Sequence, residues 1–461
     1  MKFRKSLLAL LLVPALLSSC GTDDTPEPAA TGPDPVIAVD PVDEDEEEVE
    51  EETYYVEEDL EVVYIDFWHL LTGAHIEPLT YMIDAFHAYQ DRVRVVEAFQ
   101  GNAGALNTAL TTSFLAGTAP HIGLAVASHT TDYITNDFIV PLSTFFVDAF
   151  SQSELADIVH LELRNTREGE IWSSPFGIST RILFYNREVL DEFGLEAPVT
   201  WDDVRNIAEV TTDGDRFGMG WENAFWSEFV ALLEQHGGTY VNETTARSEL
   251  NSPAGIAALS FIHDLIDDGF SRTAGEDGFM SGVFGSGSVT MYIGSSAGLA
   301  PVTTAVDGAF EWGTMPTPGT GTTNATLFAG NDIVMFNESA RSNVGGMSER
   351  EMQAAWEFIE FTLRPEITAI WANQTGYLPT RYSSSDLPIR IDFLEENPTH
   401  LAGSAQIPYG FYLARVHGMT EVQNNALMYY LDQVIPFGLI SVEEALANAE
   451  ERANEILAEA N

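Results

Sequence analysis

The sequence predicts an α/β protein of two lobes, each a sheet covered by helices, with a ligand cleft at the hinge between them. Three stretches carry that prediction. Apolar strands alternate with helix-spaced apolar positions over residues 62–127. Residues 171–186 read as a strand, a break at Pro175 and Gly177, and a second strand running on in the same direction, which suits a chain passing from one lobe to the other. Residues 327–336 read as a second passage, with Gly330 placed where a side chain would obstruct the cleft.

Taken in order, residues 62–67 alternate in polarity and run into Trp68 and His69 at a strand tip. Leu79, Met82, Ile83 and Phe86 then fall at helical spacing, and residues 93–99 form the next strand. A turn at Gly101 and Asn102 leads to a helix carrying Leu106, Leu110 and Phe114. Pro120 opens a third strand over 122–127, with Ser128 and His129 at its carboxyl end. Strand-helix-strand-helix-strand calls for a parallel sheet, and ligands of such sheets sit beyond the strand carboxyl ends. Trp68, Asn102 and Ser128 are therefore the candidate contacts of the first lobe.

After the first passage a helix spans residues 187–193, and Thr200 with Asp203 three positions on marks another helix start. Ser179, within the passage, offers a hydroxyl at the cleft floor. Residues 217–221 end on Trp221 and approach a loop with Trp226; Trp221 is the candidate ring for stacking on a sugar face. Residues 294–298 fit the pattern Gly-x-Ser-x-Gly after a strand and before a helix. Two readings follow. In one, Ser295 and its small neighbours make a hydroxyl-binding turn with no chemistry; in the other, Ser296 is the nucleophile of a secreted hydrolase, partnered by His400 or His417.

Past the second passage, helices carry Trp356, Ile359 and Trp371 and stop at Thr375-Gly376-Tyr377-Leu378-Pro379-Thr380, a helix-ending turn whose Tyr377 suits a core position. Arg415 stands among aromatic residues near the end of the chain, and its planar fork suits phosphate oxygens or a neighbouring acid. Ser441 with Glu444 opens the last helix, whose apolar stripe is Leu446, Ala449 and Ala453.

Composition sets the compartment. Lys2, Arg4 and Lys5 precede an apolar run ending at Cys20, too short to cross a membrane and ordered like a secretory signal. Cys20 is the single cysteine, so no internal disulfide forms and a lipid anchor is the economical use of it. Residues 21–61 hold many acids and no basic residue, which predicts a self-repelling tether. The whole 461-residue chain carries 71 acidic residues against 20 Lys and Arg, a net charge of −51, and lysine occurs at positions 2 and 5 alone. That balance opposes nucleic acid as a partner. It also predicts a surface that tolerates salt, as in a saline or alkaline habitat: purified protein should lose stability as salt is withdrawn, and a melting temperature indifferent to salt would refute this.

The run SPFGISTRILFYNREVLDEFG followed by TW resembles the solute-binding proteins of carbohydrate-type ABC importers, in particular their glycerol-3-phosphate-binding branch. Trp68-His69, Gly101-Asn102, residues 116–120 (AGTAP) and residues 375–380 (TGYLPT) extend the resemblance from about residue 62 to the C-terminus. It implies a periplasmic-binding-protein type II fold, with a signal peptide over 1–20, a tether over 21–61, one lobe from 62–177 and 331–380, and the other from 178–330 and 381–461. It implies a lipid-anchored monomer at the cell envelope. Such a protein binds a small solute without cofactor or metal, touches the membrane through its lipid only, and delivers to permease subunits. Implied ligand contacts are Trp68, Asn102, Ser128, Ser179, Trp221, Ser295, Gly330, Tyr377 and Arg415, the last aligned with the arginine that holds the phosphate in that branch. Ala103 and Ala127 stand where the branch has a Tyr and a Glu, so part of its grip on glycerol is missing.

Overall fold

The computed structural model describes residues 61–460 apart from Thr322; the signal segment, Cys20 and the tether up to residue 60 lie outside them. Strand β1 (Val63–His69) buries alternate residues, and α1 (Ile76–Tyr89) turns Leu79, Met82, Ile83 and Phe86 inward as their spacing requires. Then come β2 (Val93–Phe99), α2 (Ala103–Ala116), β3 (Ile122–Ala125) and α3 (Ala127–Thr135). The Asn102 side chain caps α2 by accepting from the Ala105 amide, and Gly117 ends that helix at φ +66°, a left-handed angle that favours glycine. Strand β1 pairs in parallel with β2 and β3. Strand β3 stops at Ala125, so Ser128 and His129 sit in the first turn of α3 rather than on a strand.

Strand β4 (Ser174–Asn186) is one continuous strand of 13 residues. No gap interrupts it, but its pairing with the strand at 326–335 shifts register at the expected place: Gly177 pairs with Asn331 and Pro175 with the next residue, Asp332, which leaves Phe176 as the extra residue on β4. Gly177 is small for a packing reason: a Cβ there would meet the Tyr377 ring at 3.0–3.3 Å. Beyond it lie β5 (Phe217–Trp221), α4 (Trp226–Gln235), α5 (Pro253–Asp267), β6 (Ser271–Thr273), β7 (Val289–Ser295), α6 (Leu299–Val306), β8 (Trp312–Pro316) and β9 (Thr326–Met335). Helices α7 (Glu349–Thr362), α8 (Pro365–Thr375) and α9 (Val442–Ala460) complete the elements that matter here.

One mixed sheet runs in the order β6-β5-β7-β4-β9-β3-β1-β2, with β8 also on β4. Two long strands carry it across the molecule. The first half of β4 pairs with β9, and its second half pairs with β7 and β8. Strand β9 in turn pairs with β4 through Phe328 to Ile333 and with β3 through Asp332 to Met335. Separate apolar cores lie along this sheet. One gathers Phe67, Phe86, Phe146, Phe336, Phe358 and Trp371; another gathers Met219, Trp221, Phe229, Leu259, Leu427 and Leu446. A small cluster of Val159, Ile178, Phe328 and Leu378 sits at the crossing of β4 and β9. There Gly330 adopts φ +135°, and a Cβ on it would lie 1.7 Å from the Gly177 carbonyl oxygen. Only glycine lets the two crossing backbones approach this closely.

Candidate functional site

A cavity of about 320 Å³ opens beside the crossing, with walls drawn from both sides of the molecule. From the first core's side come the α2 start (Ala103, Gly104), the α3 start (Ser128, His129) and Arg164. From the second core's side come Trp226, Tyr412, Arg415 and Gln423, while Phe328 to Gly330 of β9 form the remaining wall. Trp226, Phe328, Tyr412, Arg164 and Arg415 thus border one space.

Arg164 is fully buried and lies 2.8 Å from the Asp332 carboxylate, with its Nη1 donating to the Ala329 carbonyl at 3.4 Å. Burial opposes its charge, but the attraction of Asp332 and Tyr412 wins and raises its pKa above the ordinary value. Its guanidinium carbon sits 5.9 Å from the centre of the Tyr412 ring. The Tyr412 hydroxyl bonds to His160 Nδ1 at 2.9 Å, and burial, eased by Arg164, pushes that phenol up to about 12. Burial likewise holds the His129 imidazole down at about 4 against a weaker opposite pull from Asp132. At neutral pH His129 is therefore uncharged and offers one donor and one acceptor.

Arg415 is tied to both sides. Its Nε donates to Glu243 at 3.2 Å, and its Nη1 donates to the carbonyls of Thr166 and, at 3.3 Å, Glu162. Glu243 is about half exposed, so that pair is wet, whereas Arg164 and Asp332 are each 1 % exposed. Asp132 on α3 makes another link across the cleft, accepting from His417 Nδ1 at 2.9 Å and from the Thr420 hydroxyl at 3.4 Å.

Of the residues expected at the site, Ser128, Gly330 and Arg415 line the cavity. Asn102 stands one residue before the lining, its side chain spent on capping α2. The others do not line it. Trp68 packs half-buried against the first core. Ser179 is buried on β4 opposite Ala329, which does line the cavity. Tyr377 is buried behind Gly177, stacked on Trp371 and accepting from Asn331 at 3.3 Å. Ser295 caps the turn that follows β7 by accepting from the Ala297 amide.

Trp221 needs the firmest correction. It is 0 % exposed, and its indole donates to Ser271 at 3.0 Å inside the second core, so it has no face to offer a solute. The neighbouring ring that does reach the cavity is Trp226, at the start of α4. Sequence reasoning missed Arg164, His129, Tyr412 and Phe328. Tyr412 had a signal in the aromatic run ahead of Arg415, His129 in its place beside Ser128 and Phe328 in its place near Gly330, whereas Arg164 had none.

Ser296 lies in a single helical turn between β7 and α6 and is 1 % exposed. Its hydroxyl accepts from the Thr180 amide at 3.3 Å. His417 is engaged with Asp132, and His400 packs edge-on against Phe393 with burial holding it at about 4. Among the described residues neither histidine is hydrogen-bonded to Ser296, so the base a nucleophile needs is not in place.

Residues 81–401 match the profile of the bacterial extracellular solute-binding protein family. The chain is 25 % identical over 354 residues to the sn-glycerol-3-phosphate-binding periplasmic protein UgpB of Yersinia pseudotuberculosis, covering 73 % of this chain and 78 % of that one. To the protein of the same name from Escherichia coli it is 23 % identical over 416 residues, 86 % of this chain and 93 % of that one. Among solved structures it is similar to UgpB of Mycobacterium tuberculosis in complex with glycerophosphocholine (TM-score 0.76, 21 % identity, 86 % of this chain and 98 % of that one). It is also similar to the GacH receptor of Streptomyces glaucescens, solved unliganded and with acarbose (TM-score 0.74, 20 % identity, 87 % and 100 %).

Proposed function

We propose, from the premise that this chain belongs to the bacterial extracellular solute-binding protein family, that it captures a small solute between two lobes and hands it to the transmembrane subunits of an ABC importer. Members of the family bind and release a solute unchanged, and the protein is not an enzyme; the hydrolase reading of Ser296 is set aside with it. The supporting observation is the cavity bordered by the starts of α2 and α3 and Arg164 on one side and by Trp226, Tyr412 and Arg415 on the other. A solute gripped from both sides favours the closed arrangement, whereas one held from a single side gives no such preference.

The lining supports two readings of the solute class. Arg164 and Arg415 are forks suited to a phosphate group, and the relatives named for glycerol-3-phosphate point the same way, so glycerol-3-phosphate or a glycerophosphodiester is the first reading. A neutral sugar or oligosaccharide is the second, favoured by Trp226, Phe328 and Tyr412 and by an uncharged His129. The proposed contacts are Ser128, Gly330 and Arg415 together with Arg164, Trp226 and Tyr412. The lobes are 62–177 with 331–380 and 178–330 with 381–461, and the anchor is a lipid on Cys20 of a monomer.

Titration calorimetry with sn-glycerol-3-phosphate, glycerophosphocholine and maltose decides between the classes. On the phosphate reading, Arg415→Ala should cost about 1.5–3 kcal/mol, roughly ten- to 150-fold in Kd, for the phosphorylated solutes. On the sugar reading, Trp226→Ala should cost more than Arg415→Ala. Because Arg415 also ties the two sides together, an equal loss for maltose and for the phosphates would assign it to closure rather than to the anion.

A further inference from the structure

A second cavity, of about 600 Å³, lies next to the first. Its walls are α2 and α3 on one side, with Asn107, Tyr133 and Asn136, and residues 417–425 with the end of α9 on the other, with Asn425 and Glu459. Thr420 and Asn424 line both cavities. The bonds of Asp132 to His417 and Thr420 lie in the wall of the second cavity, and Thr420 is shared with the first. Each volume falls within the range of about 300–1,000 Å³ usual for small-molecule sites.

The two compartments differ in chemistry. The inner one holds Arg164 and Arg415, while arginine is absent from the outer lining, which carries four asparagines, two threonines and the carboxylates of Asp132, Glu421 and Glu459. Aromatic rings line both, Trp226, Phe328 and Tyr412 within and Phe114, Tyr133 and Phe138 without. Amides donate to and accept from hydroxyl groups and carboxylates accept from them, whereas three carboxylates repel an anion. We propose that the two cavities form one binding tract, in which the outer compartment takes the uncharged polyhydroxyl end of a solute whose head fills the inner one. A solute with a phosphate then enters in one direction only, phosphate inward. This rests on the reading of the inner cavity given above, and it adds a preference for solutes longer than glycerol-3-phosphate.

The test is a comparison of short and long members in two series, run by calorimetry on the mature chain. One series is sn-glycerol-3-phosphate, glycerophosphoglycerol and glycerophosphocholine; the other is maltose, maltotriose and maltotetraose. With about two net hydrogen bonds gained in the outer compartment, the longer polyol should bind roughly five- to 150-fold more tightly than the shortest member of whichever series binds. Asn136 and Asn425 are exposed residues of the outer wall alone. Asn136→Trp and, independently, Asn425→Trp should bring the long-to-short affinity ratio down toward one. If the short member binds and the longer polyol gains nothing, or if neither tryptophan changes the ratio, the tract is overturned while the inner site stands. A gain confined to glycerophosphocholine also overturns it, because the carboxylates would then be selecting a cation. Failure of every member of both series to bind overturns the inner-site reading and the tract with it.

Discussion

Asp332→Ala is expected to destabilise the fold by about 3–5 kcal/mol, since it leaves the Arg164 guanidinium buried without its counter-charge. Both partners are 1 % exposed, so water cannot take the place of the lost carboxylate. Asp332 also accepts from Ser173 at 3.5 Å and sits on β9 where the pairing passes from β4 to β3, so the damage falls on the strand that holds the sheet together. Urea denaturation measures it as a fall in midpoint at constant slope. A loss under about 1 kcal/mol would contradict the reading, being the size expected of an exposed pair. The double variant Arg164→Met with Asp332→Leu should recover most of the stability, as apolar replacements of buried pairs do. It should not recover affinity for a phosphorylated solute, and that split separates the structural part of Arg164 from its part in the cavity.

Gly330→Ala should be nearly as damaging for a different reason. Its new Cβ meets the Gly177 carbonyl oxygen at 1.7 Å and the Arg164 guanidinium at 3.1 Å, at a backbone angle of φ +135° that other residues rarely adopt. Angular strain of about 1–3 kcal/mol adds to overpacking of about 1–3 kcal/mol, so a total of about 2–6 kcal/mol is expected. Gly177→Ala is the control: the atoms nearest its Cβ belong to the Tyr377 ring at 3.0–3.3 Å rather than to backbone, and its φ is not left-handed, so overpacking alone, about 1–3 kcal/mol, is expected there. If the two variants melt together, the close approach of the backbones is not what demands glycine at Gly330.

The parts of this fold that depend on neighbours along the chain were legible. Thr200 and Asp203 form the reciprocal cap expected of them, and Leu106, Leu110 and Phe114 all turn inward. Strand β9 lies where the apolar run around Gly330 put it. The cavity was only partly legible, because its members meet across long stretches of chain: His160 with Tyr412, Arg164 with Asp332, Arg415 with Thr166. Nothing local distinguishes an arginine that will face such a space from one that will not. Trp221 and Trp226 show the limit from the other direction. Strand β5 is covered on both faces, with Gly218 to Trp221 all buried, so its terminal ring had no open side. The contiguous small and apolar residues of Gly218-Met219-Gly220 were the cue that pointed to a core position, and the cue for Trp226 was its place at a helix start.

The route of β9 has a consequence for how the protein is made. This strand lies between β4 and β3, and the first core draws one set of members from residues 65–176 and another from residues 333–377, Phe336, Phe358, Trp371 and Tyr377 among them. A ribosome that has finished residue 176 has therefore supplied a sheet still missing an inner strand, and stable collapse of that half waits for some two hundred more residues, given the cost of closing so long a loop. The nascent chain stays unlocked for most of its synthesis, the condition in which a polypeptide can be threaded through a narrow export channel before it folds.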